Sequence, residues 1–195
     1  MSHLRMGDRL SPAQRARVQA LEERFRHIER TRMADVPVCH PLLRVAAVGF
    51  VPDAAGHGLV GVLLTSWFMN VIWLPWPVEG GAAVPQSAGK IGRPGMPPDL
   101  APGEKRERTV GAHTFEFIGA FEQGFGVYES CSLFSPMHEF QDQAAALATA
   151  QAVVDLLAQP PEAQAQTAAS AQAAPAQPAT GVADRRGFLF GRGGV

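Results

Sequence analysis

The chain of 195 residues has few cysteines, little net charge and no phosphate-binding motif, and each absence argues against a class of protein. Cys39 and Cys131 lie far apart, and two thiols without a C-x-x-C pair build neither a disulfide framework nor a zinc or rubredoxin-type iron site. The formal net charge of -1 supplies no field that attracts nucleic acid. No glycine-rich segment fits the P-loop or the dinucleotide fingerprint. We therefore expect no nucleic-acid binding and no cofactor.

Export and membrane signals are also absent from the sequence. Residues 1–5 are not followed by the apolar core of a signal peptide. The most apolar run, residues 59–75, falls short of the about 20 residues of a membrane span, and Thr65, Ser66 and Asn70 interrupt it. These features predict a cytoplasmic protein with no membrane insertion.

The chain does have enough apolar material for one globular domain, since 46% of its residues are hydrophobic and 18% are charged. Residues 11–32 have the pattern of a helix, because Ser11 and Gln14 form an S-x-x-Q capping box and Pro12 suits the first turn. The apolar face of this helix consists of Val18, Leu21, Phe25 and Ile28. We expect the helix to dock on the core rather than to act as a separate partner helix.

Six runs that are mostly rich in β-branched and aromatic residues follow the helix. They are residues 42–51, 59–65, 67–74, 105–110, 114–118 and 127–133. Glycines before the second run and Pro75 after the third favour buried antiparallel strands, with a helix as the alternative for such short apolar runs. Between the third and fourth runs, the Gly, Pro and Ala of residues 78–103 predict a long surface loop.

A closing helix is predicted from the cap Ser135 and the first-turn Pro136 to Leu157, because alanines and one apolar face dominate that segment. The fold class is therefore α+β. It consists of a mixed, mostly antiparallel sheet flanked by an N-terminal and a C-terminal helix, with a disordered C-terminal tail.

The C-terminal residues change composition twice. Residues 160–180 are mostly Ala, Gln and Pro with Glu162 as their one charge, which predicts a disordered linker with a span of roughly 25 Å. Residues 184–192 are basic and aromatic instead. The predicted organisation is a domain at residues 1–158, a disordered linker at 159–182 and a basic-aromatic tail at 183–195.

Two chemical roles can be weighed from single residues. Cys131 could act as a nucleophile or redox thiol with a histidine such as His138, but no motif fixes that arrangement and a buried core thiol is the commoner state of a cysteine. Cys39 and His40 could join these two residues in binding a metal, although they lack the usual ligand spacing. We predict no catalytic residue and no metal site.

Large apolar side chains are concentrated in the third run and its flanks. Trp67, Phe68, Met69, Trp73 and Trp76 all lie within ten residues of one another. We interpret most of them as core, and keep as the alternative that some form adaptable anchors in a binding surface.

Two blocks of the sequence resemble the HybE/HupJ family of NiFe-hydrogenase assembly proteins. The first is Cys131-Ser132-Leu133-Phe134-Ser135-Pro136-Met137, followed by Glu139-Phe140 and the alanine-rich closing helix. The second is Gly61-Val62-Leu63-Leu64-Thr65-Ser66-Trp67-Phe68-Met69-Asn70. Further matches in order extend the resemblance over about residues 33–158.

The chain departs from the family pattern at three points. The family usually has proline where this chain has Ser66, and asparagine where it has His40. Some members carry a C-terminal rubredoxin domain, whose cysteines this chain lacks. The missing domain removes iron-based electron transfer from the expected function.

The resemblance implies a chaperone that is not an enzyme. It would bind the small-subunit precursor of a NiFe-hydrogenase, which carries a twin-arginine signal, or the large-subunit precursor, before cofactor insertion is complete and before export. The alternatives are a thiol-dependent redox or metal-handling factor using Cys131, and a structural subunit of the mature enzyme. The candidate partner-binding residues are Trp67, Phe68, Met69, Asn70, Cys131, Ser132, Phe134, Ser135, Pro136 and Met137.

The tail resembles the R-R-x-F-L core of a twin-arginine signal through Arg185, Arg186, Phe188 and Leu189. It is C-terminal, follows Asp184 and lacks an apolar segment after it, so it does not serve as such a signal. We predict that it mimics the signal of the client and occupies the binding groove of its own domain. A solubilising basic tail is the alternative.

Overall fold

The computed structural model describes residues 10–76 and 100–159, which form two helices and six strands. In chain order these are α1 (Pro12–Arg30), β1 (Ala46–Pro52), β2 (Gly58–Leu64), β3 (Met69–Pro75), β4 (Lys105–Val110), β5 (His113–Glu122), β6 (Gly126–Phe134) and α2 (Gln143–Leu157). The tail at 183–195, nearly all of the linker at 159–182 and most of the predicted loop at 78–103 lie outside the described residues.

Helix α1 begins where its capping residues predict. The Ser11 hydroxyl accepts from the backbone N–H of Gln14 at 3.2 Å, and the Gln14 side chain accepts from the backbone N–H of Ser11 at 2.8 Å. Leu21, Phe25 and Ile28 on its apolar face are buried. The helix is therefore docked on the core, as predicted.

The six strands form one sheet in the order β1-β2-β3-β6-β5-β4, and all five pairings are antiparallel. Every residue of β2 is buried, which explains why this strand reads as a continuous apolar run rather than an alternating one. The α+β class is confirmed. The sheet contains no parallel pairing within residues 10–76 and 100–159, so it is simpler than the mixed sheet we expected.

The two helices cover opposite faces of the sheet. Along β2, Val60 and Val62 join the core cluster that contains the apolar side of α2, whereas Leu59 and Leu63 join the cluster that contains Leu21 and its neighbours on α1. Successive side chains of a strand point to opposite faces, so the two clusters lie on either side of the sheet.

The start of α2 differs from the prediction. The helix begins at Gln143 and is capped by Asp142, whose Oδ1 accepts from the Ala145 backbone N–H at 2.8 Å. The predicted cap, Ser135, instead belongs to an irregular segment after β6 that turns Met137 and Phe140 into the core. Burial of these two side chains takes precedence over the local Ser-Pro signal for a helix start.

Strand β1 also begins later than predicted, at Ala46 rather than at residue 42. The preceding residues are held by other bonds, because Leu43 N–H donates to the His40 carbonyl at 3.2 Å and Arg44 N–H donates to the Gln143 side chain at 2.8 Å. The backbone donors of this segment therefore bond outside the sheet.

Candidate functional site

The two sequence blocks that carry the family resemblance lie on adjacent strands. In the pairing of β3 with β6, Met69 faces Phe134 and Asn70 faces Ser132. Beyond the strand ends, the Ser135 hydroxyl donates to the Trp67 carbonyl at 3.4 Å. Blocks more than 60 residues apart in sequence thus form one surface around the β2–β3 turn.

Thr65 fixes the conformation of that turn. Its hydroxyl accepts from the backbone N–H groups of Trp67 at 3.2 Å and Phe68 at 2.9 Å, and donates to the Phe68 carbonyl at 2.9 Å. The backbone of Thr65 also donates to the Phe68 carbonyl at 2.8 Å. A buried threonine therefore orients the two aromatic residues that follow it.

The two aromatic rings of the turn rest on helix α1. Phe25 stacks on Trp67 with ring centroids 6.4 Å apart and meets Phe68 edge-on at 5.8 Å, and the two turn residues are themselves edge-to-face at 5.4 Å. Trp67 and Phe68 remain half-buried, whereas Phe25 is buried. Trp67 and Phe68 therefore each expose part of an aromatic ring whose orientation is fixed by ring contacts.

The structure divides the predicted partner-binding residues into two groups. Met69, Cys131, Phe134 and Met137 are buried in the core on the α2 side, where they contribute to packing. The other six have accessible side chains, and we call this set the hairpin patch. It consists of Trp67, Phe68, Asn70, Ser132, Ser135 and Pro136.

Two polar atoms at the hairpin patch have no hydrogen-bond partner among residues 10–76 and 100–159. They are the Ser66 hydroxyl oxygen and the Asn70 side-chain oxygen, both buried. Ser66 is 3% exposed and was not among the predicted site residues. The signal that could have identified it is the departure from the proline of the family at this position.

Tyr128 lies near the patch on the α1 side, where its ring meets Phe25 edge-on at 5.9 Å. Burial raises the pKa of Tyr128 to about 12, the carboxylate of Glu122 reinforces the increase, and the guanidinium of Arg32 opposes it. Glu122 is itself paired with Arg24 at 3.1 Å and with Arg32. The phenol therefore stays neutral at physiological pH and offers a hydroxyl beside the aromatic cluster.

The candidate metal ligands do not form a site. The rings of His40 and His138 are 6.4 Å apart, the Cys39 thiol is directed at the Met33 carbonyl at 3.5 Å, and Cys131 is 3% exposed in the core. Within the described parts of the chain, no group of three or more His, Cys, Asp or Glu residues is arranged to hold a metal ion.

A concave region, which the sequence did not predict, lies on the α2 side of the sheet. It is a cavity of about 570 Å³ bordered by the two edge strands, β1 and β4, and by the C-terminal end of α2. We call it the β1–β4 cleft. Its volume falls within the range of about 300–1,000 Å³ that is usual for ligand sites.

Polar residues at the floor of the β1–β4 cleft form a connected network. Arg108 donates through Nε and Nη2 to both carboxylate oxygens of Glu129, and its guanidinium carbon lies 3.6 Å from the centroid of the Trp73 ring. The Trp73 indole N–H donates to Asp53 at 3.0 Å. Glu129 is 2% exposed, so its charge is compensated inside the protein rather than by solvent.

Two further predictions concern the C-terminal tail and the membrane. The tail residues Arg185, Arg186, Phe188 and Leu189 lie outside the described residues. No helix in the described part of the chain is both long and apolar enough to cross a membrane.

Comparison with known proteins agrees with the resemblance seen in the sequence. Residues 16–191 match the family described as NiFe-hydrogenase assembly, chaperone, HybE. The protein HoxT of Cupriavidus necator is 44% identical over 185 residues, which cover 90% of this chain and 89% of that protein. The hydrogenase expression/formation protein HupJ of Bradyrhizobium diazoefficiens is 34% identical over 167 residues, covering 86% and 83%.

A solved structure is also similar to this chain. The solution structure of HybE from Escherichia coli covers 92% of this chain and 91% of its own, with 22% sequence identity and a TM-score of 0.48.

Proposed function

This chain belongs to the family of NiFe-hydrogenase assembly chaperones of the HybE type, and on that premise we propose that it binds hydrogenase precursor subunits in the cytoplasm. Binding precedes completion of cofactor insertion, and it precedes export when the client is the small subunit with its twin-arginine signal. The chain acts by reversible association and catalyses no reaction.

One observation supports the proposal most directly, namely that the two sequence blocks of the family resemblance meet in the hairpin patch. Trp67 and Phe68 are half-buried and oriented by Thr65 and Phe25. Tryptophan is among the residues most often found at binding hot spots, and rings held in place lose little conformational entropy when a partner binds. The patch is therefore suited to bind a protein surface.

The polar members of the hairpin patch suit the same role. Asn70 and Ser132 are opposite each other on β3 and β6. The Ser132 side chain is exposed, and its hydroxyl can donate to or accept from a polar group of a client. Apolar anchors beside polar groups are the usual anatomy of a specific, reversible interface.

For the C-terminal tail, the proposal is that Arg185, Arg186, Phe188 and Leu189 imitate the client's twin-arginine signal. A tethered ligand of this kind competes through its effective concentration, on the order of millimolar for a short flexible linker. Weak clients would be rejected, whereas a tight client would displace the tail. The support for this role is the sequence of the tail alone.

Affinity capture from hydrogenase-expressing cells tests the proposed function. We expect the full-length chain to recover unprocessed small subunit, immature large subunit, or both. Trp67→Ala should recover much less of the same precursor. Leu147→Ser is the matched control, because Leu147 is an exposed apolar residue on α2, on the other side of the sheet. Recovery of neither precursor, where both accumulate, would contradict the proposal.

A further inference from the structure

Three arginines within and just after helix α1 contact the end of β5 and the turn into β6. Arg17 donates to the Phe125 carbonyl at 2.7 Å, and its guanidinium carbon lies 3.7 Å from the centroid of the Phe125 ring. Arg24 pairs with Glu122 at 3.1 Å, and Arg32 pairs with the other oxygen of the same carboxylate. Because Arg17 and Arg24 are two helical turns apart, they lie on the same side of α1. The end of β5 and the turn after it therefore hold α1 along one side.

Glu122 is the acceptor that two of these arginines share. Its side chain is 13% exposed, and that of Arg24 is 24% exposed. Solvent and salt screen such a partly buried pair less than an exposed one. Removal of the carboxylate would leave the guanidinium of Arg24 without this anion, which is unfavourable for a partly buried charge. Loss of the Glu122 charge should therefore loosen this side of α1.

Phe25, the residue after Arg24 on α1, connects the helix to the hairpin patch. Its ring contacts those of Trp67, Phe68 and Tyr128, with centroids 6.4, 5.8 and 5.9 Å away. Phe25 is only 3% exposed, so it offers almost no surface of its own to a client. A change in the position of Phe25 would therefore act on the client through Trp67 and Phe68.

Glu122 does not contact the hairpin patch directly. Within the part of the chain that the structure describes, its carboxylate bonds to Arg24 and Arg32, and no hydrogen bond or ring contact joins it to a residue of the patch. The patch itself consists of uncharged residues. An effect of the Glu122 charge on the patch would therefore have to pass through α1.

We propose that Glu122 is a positioning residue for client binding. Its ion pairs fix α1, and Phe25 on α1 fixes the orientation of Trp67 and Phe68. A surface that is already held in its binding orientation loses less conformational entropy when a partner binds. This inference rests on the hairpin patch as the client site stated under the proposed function, but its first test involves no client.

Nuclear magnetic resonance of the full-length chain without a client tests the positioning. Trp67→Phe identifies which of the three tryptophan indole N–H signals belongs to Trp67. In Glu122→Gln, we expect the Trp67 signal to shift or broaden, whereas that of Trp73, on the α2 side of the sheet, stays in place. The matched control is Glu116→Gln, because Glu116 lies on the same strand and pairs with Lys105 at 2.9 Å. It should leave both signals unchanged.

The effect on the client is measured by calorimetric titration with the purified small-subunit precursor and, separately, the large-subunit precursor. We expect Glu122→Gln to bind about fivefold more weakly than the native chain, as for a side chain that must be ordered on binding. Glu116→Gln should bind normally. Val153→Ala should also bind normally, although it loses stability through a buried side chain of α2 on the other side of the sheet. Weaker binding of Glu122→Gln is then not a general consequence of lower stability.

A double-mutant cycle shows whether the effect of Glu122 passes through Phe25. Phe25→Leu keeps an apolar side chain but removes the ring that contacts Trp67 and Phe68, so it should also weaken client binding by about fivefold. In this background Glu122→Gln should have little further effect, because two changes that act through the same contacts are not additive.

Three outcomes would overturn the proposal. The first is a Trp67 signal that does not respond to Glu122→Gln. The second is unchanged affinity of Glu122→Gln for a precursor that the native chain binds. The third is a further loss of about fivefold in the Phe25→Leu background, which would mean that Glu122 acts on the client by another route. If the native chain binds neither precursor, the proposed function itself fails, and Glu122 then has no client for which to position the patch.

Discussion

Tyr128 is the only tyrosine of the chain, and its surroundings give a testable pH dependence. Its pKa in the folded state is about 12, above the ordinary value of about 10. Between these values the unfolded chain has lost the phenol proton while the folded chain keeps it. The contribution of Tyr128 to stability is therefore fully present below about pH 10 and falls by about 1.4 kcal/mol per pH unit up to pH 12.

Tyrosinate absorbance measures this titration directly, because no other tyrosine contributes. We expect a midpoint near 12 for the folded chain and near 10 in denaturant. The free energy of unfolding of Tyr128→Phe should decline less steeply over the same pH range than that of the native chain. A folded-state midpoint near 10 would contradict the account of Tyr128 as a buried phenol beside Glu122.

Ser66 and Thr65 are neighbouring buried hydroxyl residues with opposite expected effects. The Ser66 hydroxyl has no partner within the part of the chain that the structure describes, whereas the Thr65 hydroxyl makes three hydrogen bonds within its turn. We expect Ser66→Ala to raise the free energy of unfolding by about 1 kcal/mol, since an unpaired buried hydroxyl costs about 1–3 kcal/mol. Thr65→Val should lower it by about 1–3 kcal/mol.

Urea unfolding of the two variants and of the native chain provides the comparison. Proline, which the family usually has at position 66, also lacks a hydroxyl that would need a partner. A loss of stability in Ser66→Ala as large as that in Thr65→Val would mean that the Ser66 hydroxyl has a stabilising partner after all.

At the scale of elements, the predicted start of α2 differs most clearly from the observed one. The observed start at Gln143 can be tested. Asp142→Ala removes the side chain that caps the helix, so we expect a loss of about 1 kcal/mol in the free energy of unfolding. Ser135→Ala, at the predicted cap, should change it by less than about 0.5 kcal/mol, as is usual for an exposed position. Equal losses in urea unfolding would place the helix start elsewhere.

Elements whose signals are local could be predicted from the sequence. The capping box of α1, its apolar face and the positions of β2 and β4 all depend on residues close together in the chain. The late start of α2 could not be predicted from the sequence, because it depends on the packing of Met137 and Phe140 against distant residues.

For the candidate site, too, only the features that depend on residues close together in the chain could be predicted. The sequence blocks indicated the β2–β3 turn and the end of β6, but burial decides which side chains are accessible, and burial depends on the whole sheet. The cleft network joins Arg108 on β4 with Glu129 on β6, two strands separated by β5. No sequence pattern relates those two residues.

At the scale of the whole molecule, the proposed account combines the hairpin patch with a tail that competes with clients. Deletion of residues 184–195 should therefore tighten binding of a twin-arginine signal peptide by at least about threefold, because a tethered competitor near millimolar effective concentration is removed. A fluorescence anisotropy titration of the labelled peptide provides the affinity. Equal affinity for the full-length and shortened chains would reduce the tail to a solubilising role.

The most direct test of the central claim is a calorimetric titration of the purified full-length chain with hydrogenase precursor subunits and, separately, with the mature subunits. We predict saturable binding of at least one precursor, little binding of its mature form, and an affinity at least about tenfold lower for Trp67→Ala, which corresponds to about 1.4 kcal/mol. Leu147→Ser should bind as the native chain does. Failure to bind either precursor, or equal binding of precursor and mature subunit, would contradict the account.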